Sequence, residues 1–364
     1  MMYYDYYNDL TGDEDFPEYF EVFDESLKKG TNPGYFEPEE LCEIADIYFS
    51  EDKMSEGKYV VEYALRLYPE NEDLIYDLLL ILNDYELWND LLTFCENYKK
   101  LNQVWIDGHK ITALLHLGIE EDAFQCFKKA KSKYANNRED ISLIYQVMAE
   151  SLLEVDLFEA SIEVVEEILA VDKEDPDLYW LQMEAFAALG DNESVIELGG
   201  RMLEISPMDA ETWSRLGDTY KNIGELDRAI EAFEFAQSLG LKDPNNLLGM
   251  IYTYEKNGNY LKALQKVDEY LDEYSDNYLI HLLAINICLS MEDWEKGLEY
   301  AENAIASAPQ MESLYFYKCK FYLKLGENIK ALKTLEEGIR KTLDISGDLK
   351  KQLDILKEEK EGER

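Results

Sequence analysis

The sequence predicts an all-α protein built from helical hairpins that repeat along the chain. Three observations indicate this class: residues spaced by multiples of 34, apolar residues that recur at intervals of three and four, and no segment with the alternating pattern of a β-strand. Gly190, Gly224 and Gly258 are spaced by 34 residues, and Pro207 and Pro309 lie 102 residues apart, which is three times 34. Because glycine and proline have different structural roles, a period that they share indicates one repeated unit.

Each unit is expected to contain two helices of about 14 residues, each about 21 Å long. Position 15 of a unit usually holds Gly, as at Gly118 and Gly326, or an acid, as at Asp156. Glycine suits the left-handed residue that ends a first helix. Proline near position 32 cannot continue the second helix, so it marks the turn into the next unit.

The clearest copy of the unit is residues 210–243. It has large apolar residues at positions 4, 7, 11 and 24 and small residues at positions 8, 20 and 27, namely Trp213, Leu216, Tyr220, Phe233, Gly217, Ala229 and Ala236. This pattern resembles the tetratricopeptide repeat (TPR), a 34-residue helical hairpin. All seven hallmark positions match, whereas position 32 is Leu241 instead of the frequent Pro. The chain is most similar to long, acidic, soluble bacterial TPR arrays.

The resemblance implies about nine TPR hairpins that stack into a right-handed α-α superhelix, or solenoid, with a C-terminal capping helix. We place the array at residues 38–345, with the four residues 138–141 as an insertion. The repeats are 38–71, 72–103, 104–137, 142–175, 176–209, 210–243, 244–277, 278–311 and 312–345.

The two ends of the chain differ from the repeats. Residues 1–37 are acidic and aromatic; we expect residues 1–15 to be flexible and a helix at about 16–29 to pack on the first repeat. Residues 346–364 contain an amphipathic segment that we interpret as the capping helix and a tail, because a terminal repeat needs its apolar face covered.

The charge of the chain argues against two classes of partner. The 364 residues include 78 acids and 35 bases, a formal net charge of −43. We expect such a chain to bind neither nucleic acid nor an anionic membrane surface, since a protein binds either of them through Lys and Arg. The five scattered cysteines and the lack of a secretory signal favour a cytoplasmic protein with reduced thiols. Self-repulsion favours a monomer, with a dimer as the alternative.

We find no sequence motif for catalysis. Of the three histidines, His109 and His116 lie seven residues apart on one predicted helix, but no third metal ligand or known metal motif accompanies them. The Gly199–Gly200 pair falls inside a second helix, where glycine weakens helical structure, and does not follow a strand as a phosphate loop would. We therefore expect no enzymatic activity, no catalytic residue, no metal and no cofactor.

In the resembled family, positions 2, 5, 9, 12 and 13 of a unit face a concave groove. Carried over to this chain, they give the partner-binding candidates Glu150, Asp177, Trp180, Glu184, Ser214, Asp218, Asn222, Tyr252, Asn286 and Lys320. The surface around Trp180 is expected to be acidic, which suits a basic or amphipathic peptide with an aromatic or aliphatic anchor. The alternative is that Trp180 only covers a neighbouring helix and the acids are solvated.

Two functions follow from the resemblance. The first is a non-enzymatic protein–protein interaction scaffold or adaptor that binds such a peptide in the groove. The alternative is a peptide-sensing regulator whose superhelix changes pitch when the peptide binds. A clamp for the acidic C-terminal tail of a chaperone is not expected, because no unit combines lysine at position 5 with asparagine at position 9.

Overall fold

The computed structural model describes residues 16–101, 103–170, 175–274, 277–342 and 347–362. Within these ranges the chain forms twenty α-helices and no β-strand. The expectation for residues 1–15 lies outside the described residues. The chain divides into two compact units, residues 1–173 (unit 1) and 174–364 (unit 2).

Unit 1 begins with a helix that precedes four helical hairpins. Phe20 and Phe23 of the first helix are buried, and the ring of Phe20 lies 5.0 Å from that of Tyr48 in the next helix. A short 3₁₀ helix, Lys99–Leu101, follows α5. The helices of unit 1 are α1 (Glu18–Lys29), α2 (Pro38–Ser50), α3 (Met54–Leu67), α4 (Glu72–Asp84), α5 (Trp88–Tyr98), α6 (Val104–His116), α7 (Glu120–Tyr134), α8 (Arg138–Glu154) and α9 (Phe158–Leu169).

Unit 2 contains five further hairpins and a last helix, α20, which packs on α19 and covers its apolar face with the buried Leu349 and Leu353. The helices of unit 2 are α10 (Pro176–Leu189), α11 (Asn192–Ile205), α12 (Ala210–Ile223), α13 (Leu226–Ser238), α14 (Pro244–Lys256), α15 (Tyr260–Glu273), α16 (Tyr278–Met291), α17 (Trp294–Ser307), α18 (Glu312–Lys324), α19 (Asn328–Thr342) and α20 (Asp348–Gly362). No helix in the described ranges of either unit is long and apolar enough to cross a membrane.

Several first helices of the hairpins start at a side chain that bonds the free backbone amides. The Asp175 and Asp243 carboxylates accept from the amides of Asp177 and Asn245, and a proline follows each cap. Asn137 caps α8 in the same way. The inserted residues 138–141 therefore form the first turn of α8, which is 17 residues long.

The residue at position 15 has a left-handed backbone in all nine hairpins of the described chain. It follows the first helix and lets the chain reverse direction into the second. Five of these residues are glycines and four are acids, with φ between 54° and 84°. They are Asp52, Glu86, Gly118, Asp156, Gly190, Gly224, Gly258, Glu292 and Gly326.

Glycines also allow the hairpins of unit 2 to approach closely. The ring of Phe233 lies between Gly217 and Gly249. A β-carbon would lie 2.6 Å from a ring atom at position 217 and 2.5 Å from a ring atom at position 249. Gly199, which the sequence suggests only as a weak point in a helix, is buried against Leu216. A β-carbon there would lie 2.7 Å from the Leu216 Cδ2 atom, so the glycine is required for packing.

Candidate functional site

Two adjoining cavities form a trough along the first helices of four successive hairpins of unit 2. The first cavity has a volume of about 580 Å³ and lies between α10, α12, α14 and the loop that precedes α14. The second, of about 610 Å³, lies against α12, α14, α15 and α16. Lys221 and Tyr252 line both cavities, so the two are continuous. We call this surface the trough and define it by Trp180, Ser214, Asp218, Lys221, Asn222 and Tyr252.

Helical periodicity explains how α12 presents polar groups to the trough. Ser214, Asp218 and Lys221 are separated by four and three residues, so they lie on one face of the helix. The opposite face carries Leu216 and Tyr220, which are buried in the core of unit 2. One helix therefore supplies both the core contact and the polar wall of the trough.

Tyr252 and Trp180 are the aromatic groups of the trough. The Tyr252 side chain is 49% exposed, which is high for a large aromatic residue on a helix that is otherwise packed. Trp180 is half-buried, and the Arg215 guanidinium lies 5.7 Å from the centre of its ring. Both rings offer contact area to a ligand at little cost in side-chain entropy.

Ion pairs neutralise the charges nearest to these rings. Arg215 bonds the Glu184 carboxylate, and Lys221 bonds the Asp218 carboxylate. The first cavity is lined by three acids and three bases, which are Glu211, Asp218, Asp243, Arg215, Lys221 and Lys242. The expectation of an acidic surface around Trp180 is wrong for this cavity, because Arg215, Lys221 and Lys242 balance its three acids.

Glu255 is the acid of the second cavity. Burial raises the pKa of its carboxyl group above the ordinary value, because the charged form loses contact with water. Lys256, which also lines this cavity, is exposed.

The described residues offer no metal centre. They contain no group of three or more His, Cys, Asp or Glu side chains that could hold an ion. His109 is bonded to Asn83, and burial lowers its pKa to about 4, so the ring is neutral at neutral pH. His116 stacks on the ring of Trp88 at 4.0 Å, and its Nε2 atom lies 2.9 Å from Glu154 Oε2. The two histidines thus have separate partners.

Comparison with known proteins agrees with this architecture, although no family model matches the sequence. The TPR repeat-containing protein YpiA of Bacillus subtilis is 24% identical over 305 residues, which are 73% of this chain and 70% of YpiA. The solved C-terminal part of a TPR repeat-containing protein from Cytophaga hutchinsonii has a TM-score of 0.53 at 15% identity, covering 64% of this chain and 95% of that one. The chain has the fold of tetratricopeptide-repeat proteins. The predicted all-α class of stacked TPR hairpins is confirmed.

A third similarity is confined to a short stretch of this chain. The bifunctional subunit NrfFG of the formate-dependent nitrite reductase complex of Haemophilus influenzae is 38% identical over 84 residues. These residues are 22% of this chain and only 21% of NrfFG, so the match spans about a fifth of that relative.

The trough brings together five of the ten residues that the TPR pattern suggests, and a sixth contacts it. Trp180, Ser214, Asp218 and Tyr252 line the first cavity, Asn222 lines the second, and Glu184 reaches the trough through Arg215. As a binding site, all ten residues stay a prediction.

The other four predicted residues lie outside both cavities. Glu150 is in unit 1 on α8, where it accepts a hydrogen bond from Gln146. Asp177 is exposed in the first turn of α10, and Asn286 and Lys320 are exposed on α16 and α18.

The repeat pattern does not predict Arg215 and Lys242 of the first cavity, because they occupy other positions of the repeat. Arg215 is at position 6 and Lys242 at position 33 of the unit 210–243. Leu248, which also lines this cavity, is at the groove position 5 of the next unit but is not among the ten candidates. One signal could have identified Arg215. It follows Glu184 by 31 residues, a spacing that places opposite charges on neighbouring first helices.

Proposed function

We propose that this TPR protein is a non-enzymatic scaffold or adaptor that binds a peptide segment of a partner protein in the trough. The observation that carries the proposal is the exposed ring of Tyr252 at the junction of two open cavities, with Trp180 at the far wall. Exposed aromatic side chains in a concave surface are typical anchors of peptide interfaces. The trough is long enough for several residues, since it follows four successive hairpins.

An amphipathic segment fits the trough better than a uniformly basic one. Glu184 and Asp218 are already paired with Arg215 and Lys221. A purely basic peptide that approached these two acids would therefore also meet the two basic side chains. A segment with one large apolar side chain can place it against Trp180 and Tyr252. Its charges of either sign can then pair with Glu211 or Lys242, which are both exposed. The net charge of −43 favours the approach of a partner that is basic overall.

Site-specific photo-crosslinking tests the proposal in the cells that make the protein. A photoreactive phenylalanine analogue replaces Tyr252 in one variant and Tyr35, which is 70% exposed in unit 1, in the control. We expect a discrete partner adduct from position 252 that is absent from position 35. Mass spectrometry of the adduct then identifies the partner segment, which can be synthesised as a peptide.

The affinity of that peptide provides the quantitative test. Trp180→Ala and Tyr252→Ser should each weaken binding about tenfold or more, as expected for aromatic anchors. Tyr35→Ser is the matched control and should leave the affinity unchanged. Circular dichroism verifies that each variant folds. Equal affinities for all four proteins would refute the trough as the binding site.

A further inference from the structure

Four large apolar side chains form a patch on the surface of unit 2, at the turn between α11 and α12. Met208 is 69% exposed, Ile205 is 45% exposed and Phe235 is 39% exposed. The half-buried Trp213 ring packs on the ring of Phe235 at 4.9 Å, and its Nε1 atom donates to the Pro207 carbonyl at 3.0 Å. Because Pro207 lies between Ile205 and Met208 in the chain, these contacts join the turn, α12 and α13 into one surface. We call this surface the junction patch and define it by Ile205, Met208, Trp213 and Phe235.

The junction patch is separate from the trough. Ile205 and Met208 are at positions 30 and 33 of the unit 176–209, and Trp213 and Phe235 are at positions 4 and 26 of the next unit. None of these is one of the groove positions 2, 5, 9, 12 and 13. None of the four side chains lines either cavity of the trough. A ligand that fills the trough therefore leaves the patch uncovered.

Stacking of the hairpins does not require apolar residues at the three exposed places, positions 30, 33 and 26. Two other junctions between hairpins of unit 2, those before α14 and α18, are also described at all three places, and only one of their six residues is apolar. These residues are Leu239, Lys242 and Glu269 before α14, and Ser307, Gln310 and Glu337 before α18. Repeat packing thus leaves the junction patch unexplained, and a contiguous exposed apolar surface is typical of an interaction site.

Unpaired acids border the junction patch. Glu204 directly precedes Ile205, and Glu231 lies one helical turn before Phe235 on the same face of α13. Both acids are exposed, and neither has an ion-pair partner within the part of the chain that the structure describes. The border of the patch therefore carries negative charge that no base of the protein compensates.

The bases of α11 and α13 are already engaged. Arg201 bonds Glu197 at 2.6 Å, and Arg228 bonds Glu225 at 2.6 Å. They are the only bases of these two helices. Compensation for Glu204 and Glu231 must therefore come from another molecule or from dissolved cations.

We propose that the junction patch binds a segment of a partner protein in which Lys or Arg flank large apolar side chains. The patch supplies apolar area to bury, and Glu204 and Glu231 supply charges that basic side chains complement. The flexible Met208 side chain can adapt to the shape of the partner. The Trp213 N–H group already has an acceptor in the Pro207 carbonyl, so covering the ring leaves no unpaired donor. This proposal goes beyond the trough, because the patch shares no residue with it.

Charge argues against two other occupants of the junction patch. An acidic segment would be repelled by Glu204 and Glu231 as the contact excludes water. A second copy of this chain would bring the same two acids to a symmetric contact between patches, and its net charge of −43 opposes self-association.

Selection from a display library of random 16-residue peptides tests this proposal. The bait is the full chain with Trp180→Ala and Tyr252→Ser, so that the two aromatic side chains of the trough cannot dominate the selection. The selected peptides are synthesised, and their affinities for the wild-type protein and for four single variants are measured.

The four variants form two matched pairs. Met208→Ser removes an apolar side chain of the patch, and its control is Leu261→Ser, which removes a 72% exposed apolar side chain of α15. Glu231→Lys reverses a charge at the border of the patch, and its control is Glu299→Lys. Glu299 is exposed on α17 and occupies the same position, 22, of its repeat unit. Circular dichroism verifies that each variant folds.

We expect the selected peptides to combine Leu, Ile, Phe or Trp with Lys or Arg. Met208→Ser should weaken their binding about tenfold and Glu231→Lys about threefold or more, whereas Leu261→Ser and Glu299→Lys should leave it unchanged. Selection of no peptide, or of peptides without Lys or Arg, would overturn the proposal. Equal affinities of the two variants within either matched pair would also overturn it. Because the bait lacks both aromatic side chains of the trough, a failure of the proposed function in the crosslinked-peptide assay would leave this result unaffected.

Discussion

Gly199 and Gly200 are adjacent in α11, and replacing each of them by alanine separates close packing from helix propensity. Gly200 is exposed, and a β-carbon there meets no atom within 4 Å, so Gly200→Ala should stabilise the protein by about 1 kcal/mol. At Gly199 the new carbon would lie 2.7 Å from Cδ2 and 2.9 Å from Cγ of Leu216, which is only 3% exposed. Such overpacking costs about 1–3 kcal/mol and exceeds the gain in propensity. We therefore expect Gly199→Ala to destabilise by about 1 kcal/mol.

Leu216→Ala provides the control for this explanation. It removes the side chain that obstructs a β-carbon at position 199, so Gly199→Ala should become stabilising by up to about 1 kcal/mol in the Leu216→Ala background. Urea denaturation followed by circular dichroism measures all of these free energies. If Gly199→Ala and Gly200→Ala have the same effect, or if Leu216→Ala does not change the effect of Gly199→Ala, the packing argument is refuted.

Three further predictions concern turns and pH. Glu292 has φ 57° at a position where five other hairpins have glycine. We therefore expect Glu292→Gly to stabilise the folded protein by about 0.5–1 kcal/mol and Gly258→Glu to destabilise it by about 1 kcal/mol. Equal effects of the two substitutions in thermal unfolding would contradict this. Tyr254 and Lys262 donate hydrogen bonds to the Glu234 carboxylate and hold its pKa below the ordinary 4.5. The stability that these bonds contribute is present above pH 4.5 and is lost as the pH falls through the lower pKa of the folded state. Glu234→Gln should therefore reduce the loss of stability in acid unfolding, and an unchanged acid profile would argue against this prediction. Burial lowers the pKa of His109 from 6.5 to about 4. As the pH drops from 6.5 towards 4, His109 is protonated in the unfolded chain before it is protonated in the folded protein, so the folded state loses stability. An NMR titration that gives His109 a pKa near 6.5 would contradict this prediction.

The period of the sequence predicts most of the fold because each hairpin uses the same local signals. The unit at residue 210 and α12 begin at the same residue, where Asp209 precedes the helix, and Gly224 ends it with a left-handed backbone. The same period does not predict that Glu86 and Glu292 adopt this conformation, since glutamate carries no local preference for it. There, the packing of the two helices imposes the turn.

The candidate site is less predictable than the fold because it depends on side-chain reach and exposure. Repeat positions place Ser214 and Asp218 on one face, but they do not reveal that Arg215 turns to bond Glu184 and cancels its charge. The role of Gly199 also depends on Leu216 of another helix, which the residues around Gly199 do not specify. Contacts between hairpins thus decide features that a single repeat cannot encode.

Hydrogen–deuterium exchange of the protein with the peptide identified by crosslinking tests the central claim most directly. If the trough binds that peptide, the backbone amides of α10, α12 and α14 become protected in its presence, and the Trp180→Ala protein shows less protection at the same peptide concentration. Protection that is confined to the helices of unit 1, or that is the same in the Trp180→Ala protein, would contradict the account.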